Sequence, residues 1–390
     1  MHVTETGQSE IPNKDRVCNA VTDSRVITDH RQSEISSGVP NAPGFGAEGW
    51  KKDAGCNAVT DSRAISQPAH KEICSAEQRR LGNFREWRQH RSERGGYNNP
   101  ATDLTCKVII MKVAITGANG LFGHGLIHVI RTKHQIVPMT RANADLTQLP
   151  DVRRFLLAAR PDALVHTAAA PDPDVCEANP EYCFQTNVVA TGNVVDVARE
   201  LVIPIAQIST DAVFDGSADS PRTESDPTNP LSVYGKTKLL AEQSVMQLER
   251  YWIFRVSVLF GPGKANFVSK GLQALRSGGT YTVAADQIGT ATYTLDAAGK
   301  MLEVMESGRF GLFHLSNTGA CSRFELMQQA ATLAGLPTRN VVGKPLSEMG
   351  RIGPRPKYAV MEMKALKMAG IAPPRSWQAA LAEYLSTYSV

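Results

Sequence analysis

The chain has 390 residues, 42% of them apolar, and a formal net charge of +4, which admits two or three domains with real cores. Its basic residues are scattered rather than gathered into a stripe, so nucleic-acid binding is not indicated. No apolar run approaches the ~18 residues that cross a bilayer, and seven cysteines without Cys-x-x-Cys spacing argue against both a disulfide framework and a structural zinc site.

Residues 1 to 105 are rich in Ser, Asn, Gln, Arg and Gly and lack periodic apolar patterning. Such a composition cannot bury enough surface to offset the entropy of ordering, so residues 1–108 are expected to be a disordered or spurious extension. They hold one internal repeat, Cys18-Asn-Ala-Val-Thr-Asp-Ser-Arg25 recurring as Cys56-Asn-Ala-Val-Thr-Asp-Ser-Arg63, too few copies for a solenoid. The functional start is expected at Met111, where the first strand begins; a basic interaction arm is the rival reading. Without a hydrophobic signal core the expected location is the cytoplasm.

Lys112-Val-Ala-Ile-Thr116 alternates as a strand does, breaks at Gly117-Ala-Asn119-Gly120-Leu121-Phe122-Gly123 and continues as a helix from Leu121 to Ile130. Glycines there allow a tight turn, close backbone approach to a pyrophosphate and close packing of helix on strand, and the free amides of the helix start face the negative charge. Gln135 to Thr140 reads as a second strand. An NAD site usually has an acid at its end for the ribose 2′-hydroxyl. Here Thr140-Arg141 stands there, with no carboxylate before Asp145, which favours a 2′-phosphate and hence NADPH, with NADH as the second choice.

A helix over Asp151 to Ala159, a strand over Ala163 to Thr167, the small residues Ala168-Ala169-Ala170, a long helix from Pro180 to Arg199 carrying Asn187, and a strand over Ile203 to Ser209 follow. Cys176 and Cys183, seven apart, fit one helix face and read as reduced thiols in a reducing compartment. The β-then-α periodicity calls for an α/β fold with a parallel, doubly wound sheet.

Ser209-Thr210-Asp211 closes the last of these strands, and Tyr234-Gly-Lys-Thr-Lys238 comes 24 residues after Thr210. Tyr-x-x-x-Lys sets the two side chains one helical turn apart on the same face. An ammonium beside the phenol is expected to lower its pKa from ~10 toward neutrality, giving an acid/base for a carbonyl, and Thr210 can hold the same oxygen. From Ala265 the pattern changes to a smaller part: a helix opening at Asn266-Phe267, short strands at Thr280 to Val283 and Phe310 to Leu315, and a helix from Arg323 to Ala334. Arg255, Asn266, Gln287 and Arg355 are polar groups suited to a diphosphate or sugar, while Asp286 and Gln287 equally suit turn chemistry. Glu325 and Asp296 lack metal-ligand spacing, and no metal is expected.

The glycine turn with Tyr234-x-x-x-Lys238 resembles the extended short-chain dehydrogenase/reductases. Ser209-Thr-Asp-Ala-Val-Phe-Asp-Gly216, Pro230-Leu-Ser-Val-Tyr-Gly-Lys-Thr-Lys238 and Asp286-Gln-Ile-Gly289 resemble the dTDP-4-dehydrorhamnose reductase family, a similarity spanning Met111 to Val390. The resemblance implies a Rossmann-type domain over 111–264 and a smaller substrate-binding lobe over 265–390, with some chain crossing between them. It implies hydride transfer from NADPH to C4 of a nucleotide-activated 4-keto-6-deoxy sugar, yielding dTDP-L-rhamnose. By the match Thr210, Tyr234 and Lys238 form the catalytic triad, with Tyr234 as proton donor, and Asp211 joins Thr210 at the sugar. Gly120, Leu121, Phe122, Asp145, Leu146 and Ala168 to Ala170 surround the cofactor.

The chain departs from the family at Arg255-Val-Ser-Val258, which lacks an aromatic, at Arg355-Pro-Lys-Tyr-Ala-Val-Met361, and at Asp286-Gln-Ile-Gly-Thr-Ala-Thr292, which lacks a proline. Cofactor and reaction are therefore better specified than the sugar. A sugar-nucleotide epimerase or dehydratase, or an NADP-binding regulatory subunit, are the alternatives; Asp211 without a following glutamate speaks against a dehydratase. Expected partners are the nucleotide sugar and, as an open option, a second copy in a homodimer, with neither nucleic acid nor membrane.

Overall fold

The fold is set by strands buried on both faces. In β1 (Lys112–Thr116), Val113 and Ile115 enter one core and Ala114 the opposite one, the two-residue alternation of a pleated strand. The computed structural model describes residues 110–388; the expectations for residues 1–108 lie outside the described residues. After β1 come α1 (Leu121–Ile130), β2 (Gln135–Met139), α2 (Leu149–Ala159), β3 (Ala163–His166), α3 (Pro173–Ala178) and α4 (Pro180–Phe184). A π-helical turn over Gln185–Val189 leads into α5 (Ala190–Glu200), then β4 (Ile205–Thr210), α6 (Val233–Val245) and β5 (Tyr251–Val256). The remainder runs β6 (Val258–Phe260), α7 (Phe267–Arg276), β7 (Tyr281–Ala284), β8 (Ile288–Tyr293), α8 (Thr294–Ser307) and β9 (Gly311–His314). It ends with β10 (Ala320–Ser322), α9 (Arg323–Leu333), β11 (Val341–Lys344), β12 (Tyr358–Ala359), α10 (Lys364–Met368) and α11 (Trp377–Thr387).

Six strands form one parallel sheet in the order β2-β1-β3-β4-β5-β9. Phe122 and Leu126 of α1 with Met301 and Met305 of α8 cover one face; Val152 of α2, Val194 of α5 and Val245 of α6 cover the other. Chain order reverses between β1 and β3, and ligands of such sheets bind at the carboxyl ends of the strands beside that reversal. The glycine turn follows β1 and the three alanines follow β3, so the topology places both there.

Three expectations change. The single helix from Pro180 to Arg199 is interrupted by the π turn, where Thr191 Oγ1 donates to the Asn187 carbonyl at 2.6 Å and so competes with the regular backbone ladder. The strand at Phe310 to Leu315, assigned to the smaller part, is β9 and extends the large sheet beside β5, because Phe313 and Leu315 carry the apolar surface of its core. Cys176 and Cys183 are not free thiols but a disulfide with Cα atoms 5.1 Å apart. The helix breaks between them at Asn179, whose side chain caps α4 by accepting from Tyr182 N at 3.0 Å, and the turn brings the two sulfurs together.

The second sheet is β10-β8-β12, with β6 also paired to β8, and β7 pairs with β11. Its core stacks Phe260 on Tyr293 with centroids 5.4 Å apart and packs both against Tyr384 of α11. No helix of the described residues is long and apolar enough to cross a membrane.

Candidate active site

The turn after β1 is shaped for an anion. Gly117 has φ 64°, and a Cβ there would lie 2.7 Å from Ala168 N, so both its left-handed backbone and its contact with the loop after β3 require glycine. Gly120 is the N-cap of α1; its amide donates to Gly117 O at 2.7 Å. No side chain caps this helix and its first turn has no acidic residue, leaving amides and dipole to a ligand's negative charge. Phe122 and Gly123 are buried, Leu121 is half-buried and Asn119 is exposed. These features fit the pyrophosphate of a dinucleotide.

Around the turn, Ala168 and Ala169 are half-buried and Ala170 buried. Arg141 is exposed past β2, its Nη2 3.5 Å from the Tyr182 hydroxyl. Asp145 is engaged by its own turn, accepting from Thr147 N and Oγ1 at 2.9 and 2.8 Å. Leu146 O accepts from Asn193 Nδ2 at 2.9 Å, which ties the loop to α5.

Asn187 carries a positioning role that sequence reasoning missed. Its Oδ1 accepts from Ala170 N at 2.7 Å and its Nδ2 donates to Ala170 O at 3.2 Å and to Thr237 Oγ1 at 3.1 Å. One buried amide thus joins the loop after β3 to α6. Beneath it, His166 Nδ1 pairs with Thr116 Oγ1 at 2.8 Å and Nε2 with Thr191 Oγ1 at 3.0 Å. Burial, with the Lys238 charge second, holds its pKa down at about 3, so it spaces β1, β3 and α5 as a neutral ring.

The triad residues come together from β4 and α6. Ser232 caps α6, accepting from Gly235 N at 3.0 Å. At Gly235 an added Cβ would meet the Ala212 carbonyl and stand 2.9 Å from Pro230 Cβ. Glycine there lets the helix start press against the turn after Thr210, which brings Tyr234 to Thr210. Gly235→Ala is expected to lower stability by about 1–3 kcal/mol through forced separation of these backbones, with loss of turnover beyond the loss of folded protein. Calorimetry and assay at a temperature well below Tm check this; unchanged turnover would contradict it.

Thr210 is buried, and the Tyr234 phenol lies close enough to feel its hydroxyl. Thr210 Oγ1 donates to Asp211 Oδ1 at 3.0 Å, and Ser257 Oγ donates to Asp211 Oδ2 at 2.5 Å. Burial raises the Asp211 pKa against the opposing effects of Ser257, Arg323 and Thr210. Lys238 Nζ donates to the Ile208 carbonyl at 2.6 Å. Burial lowers its pKa to about 8, with Glu242 acting in the opposite direction. The expected depression of the tyrosine does not occur. Burial, helped by Asp211, pushes its phenol up to about 12 despite the Thr210 hydrogen bond, and desolvation outweighs any help from the lysine, which bonds to the backbone. A phenol that keeps its proton across the neutral range is a donor.

The remaining candidates separate. Arg255 is turned inside, bound to Glu242 through Nε and Nη2 at 2.9 and 2.7 Å. Arg355 grips Asp174 at 2.6 and 2.9 Å and holds that carboxyl far below its ordinary pKa. Asn266 caps α7, accepting from Val268 N and Ser269 N at 3.1 and 3.2 Å and donating to Tyr384 Oη at 3.0 Å. Asp286 accepts from Leu346 N at 2.6 Å and pairs with Lys357 at 3.4 Å, ties to a distant segment rather than the local turn its position in a loop suggested. The Gln287 carbonyl accepts from Arg323 N at 3.2 Å, a backbone tie between the loop before β8 and the start of α9.

Glu325 closes a capping box with Ser322, and Asp296 pairs with Arg375 and Asn317. Arg323 is the first residue of α9. It faces Asp211 electrostatically, and its Nη1 is buried without a hydrogen-bond partner. Glu242 and Ser257 also went unread: each matters through a partner distant in sequence.

The family model for the RmlD substrate binding domain matches residues 111–390. The chain is 32% identical over 280 residues to the spore coat polysaccharide biosynthesis protein SpsK of Bacillus subtilis, covering 71% of this chain and 98% of that protein. It is 31% identical over 300 residues to a dTDP-4-dehydrorhamnose reductase of Mycolicibacterium smegmatis, covering 76% and 90%. The solved dTDP-4-dehydrorhamnose reductase of Bacillus anthracis, in complex with NADP, superposes with TM-score 0.70 at 29% identity over 72% of this chain and 100% of that one. With its glycine turn, its Thr210–Tyr234–Lys238 cluster and this similarity over 111–390, the chain belongs to the RmlD substrate-binding-domain family of the extended short-chain dehydrogenase/reductases.

Proposed function

We propose that the protein is an NADPH-preferring reductase of a nucleotide-activated 4-keto-6-deoxy sugar, dTDP-4-dehydrorhamnose first, and that it works in the cytoplasm. The observation that carries this is the meeting of Thr210, Tyr234 and Lys238 where β4 ends against α6, in a fold whose strand reversal sets the glycine turn and the three alanines at the same edge. The relatives' names and the NADP in the Bacillus anthracis enzyme support the reading.

NADPH, when bound, supplies the hydride. Gly117, Gly120, Leu121, Phe122 and Ala168 to Ala170 would hold it, with Arg141 at the 2′-phosphate. Thr210 orients the sugar's C4 oxygen by hydrogen bonding, and Tyr234 gives that oxygen its phenolic proton as negative charge develops. Lys238, a cation near the phenol, stabilises the phenolate left behind. Asp211, with Arg323 facing it, stands beside Thr210 for the sugar's hydroxyls. Residues 111–264 supply the cofactor half and 265–390 most of the substrate half, apart from β9. The test is full-length protein with NADPH and dTDP-4-dehydrorhamnose, followed by nicotinamide absorbance. Consumption dependent on the sugar is expected; NADPH binding without consumption would point to a non-catalytic role instead.

A further inference from the structure

Three consecutive residues at the end of β4 face one side of α6, two of them bonded to it. The Ile208 carbonyl accepts from Lys238 Nζ at 2.6 Å and the Ser209 hydroxyl makes a short hydrogen bond to Glu242 Oε1, while Thr210 lies beside the Tyr234 phenol. Positions 234, 238 and 242 recur every four residues, which aligns them on the helix. Glu242 is 0% exposed. A carboxylate so far from water is tolerated only when paired and hydrogen-bonded, and Arg255 on β5 supplies the pair in the two-pronged geometry given above.

The Arg255 guanidinium in turn lies 5.2 Å from the ring centroid of Phe214, in the segment after Asp211. Stability alone does not call for ions here. Ile253 and Val245, on the same strand and helix, pack into an apolar cluster, and apolar side chains in place of a buried pair are often as stable or more so.

We infer that Glu242, held by Arg255, is a positioning residue of the reaction: through Ser209 it fixes the face of α6 that carries Lys238 against the end of β4, and it is the counter-charge of that lysine. The inference rests on the reductase reading for its catalytic consequence but not for its direct test. Glu242 is the negative charge that opposes the effect of burial on Lys238. Of the elements packed against the lysine, β3 presents His166, which is neutral, and β5 presents Arg255, whose charge is spent on Glu242; Tyr234 lies one turn away on the same helix. Removing the Glu242 charge leaves a buried lysine with no close anion of its own helix, so its proton is lost at lower pH.

The test uses the full chain with ¹³C-labelled lysine, the Lys238 signal being assigned by its absence in Lys238→Met. In Glu242→Gln the Lys238 titration midpoint is expected to fall by about one pH unit or more, while in Arg255→Gln it does not fall. The alkaline limb of kcat with NADPH and dTDP-4-dehydrorhamnose should move down with the midpoint in Glu242→Gln, with KM for the sugar within about twofold. Should Glu242→Gln not fold, the double variant Glu242→Gln/Arg255→Gln, which leaves neither charge unpaired, is read against Arg255→Gln, with a midpoint lower than in that single variant expected. A Lys238 midpoint unmoved by loss of the Glu242 charge, whatever happens to Tm, overturns the inference and leaves the pair structural. Absent turnover in the wild type would count against the reductase reading and leave the titration result standing.

Discussion

Tyr234→Phe is expected to lower kcat by about 100- to 10,000-fold, the usual contribution of a positioned proton donor, which corresponds to roughly 3–5 kcal/mol of transition-state stabilisation. NADPH affinity should change little, because the ring remains to pack against Ala170 and the disulfide and only the hydroxyl is removed. The size follows from the electrostatics. With its pKa held up at about 12 by burial, the phenol is fully protonated at neutral pH and ready to donate as the sugar oxygen gains charge. Steady-state kinetics with a fluorescence titration of NADPH checks both halves. A drop in kcat of less than about tenfold would mean that water or another group supplies the proton.

Lys238→Met should be nearly as damaging, and the wild type should show the same dependence in its pH profile. Burial brings the Lys238 pKa down to about 8. Below that value the group is the ammonium that stabilises the phenolate; as pH rises through it the charge is lost. Activity is therefore expected to fall on the alkaline side with a midpoint near 8 and to be insensitive to His166, which is neutral throughout this range. Methionine has similar length without charge, so Lys238→Met should flatten that limb at a low residual rate. A wild-type profile level well above this midpoint would show that the lysine charge is not used.

How much of this was legible in the sequence depended on the range of each interaction. The parallel sheet and its order of elements followed from local periodicity, and Tyr234, Lys238 and Thr210 from a spacing that local helix geometry converts into proximity. What local pattern does not carry is the partner at long sequence distance. Arg255 read as a phosphate binder because its buried partner Glu242 is specified by the packing of α6 on the sheet. Arg355 read likewise until Asp174, brought close by the fold, appeared beside it. Asn266 read as a substrate ligand although Asn immediately before a helical run is equally a cap, and here it is one.

The tyrosine's pKa went the other way from the spacing argument because spacing gives the neighbour but not the solvent: burial determined the sign. The cysteines were misjudged because a separation of seven means one face only on an unbroken helix, and Asn179-Pro180 breaks this one. Glu242 offered one signal in retrospect. It continues the four-residue step from Tyr234 and Lys238, on the face already assigned to the chemistry.

In the proposed reaction Tyr234 and Lys238 serve the delivery of a hydride to C4 of a keto sugar. The most direct measurement is a reaction of the full-length wild type with NADPH deuterated at nicotinamide C4 on its transferable face and dTDP-4-dehydrorhamnose, with the product read by mass spectrometry and NMR. One deuterium at C4 of the product sugar, absent when Tyr234→Phe is used over the same time, is the predicted result. Unlabelled or unreduced sugar in the presence of bound, unconsumed NADPH would contradict it.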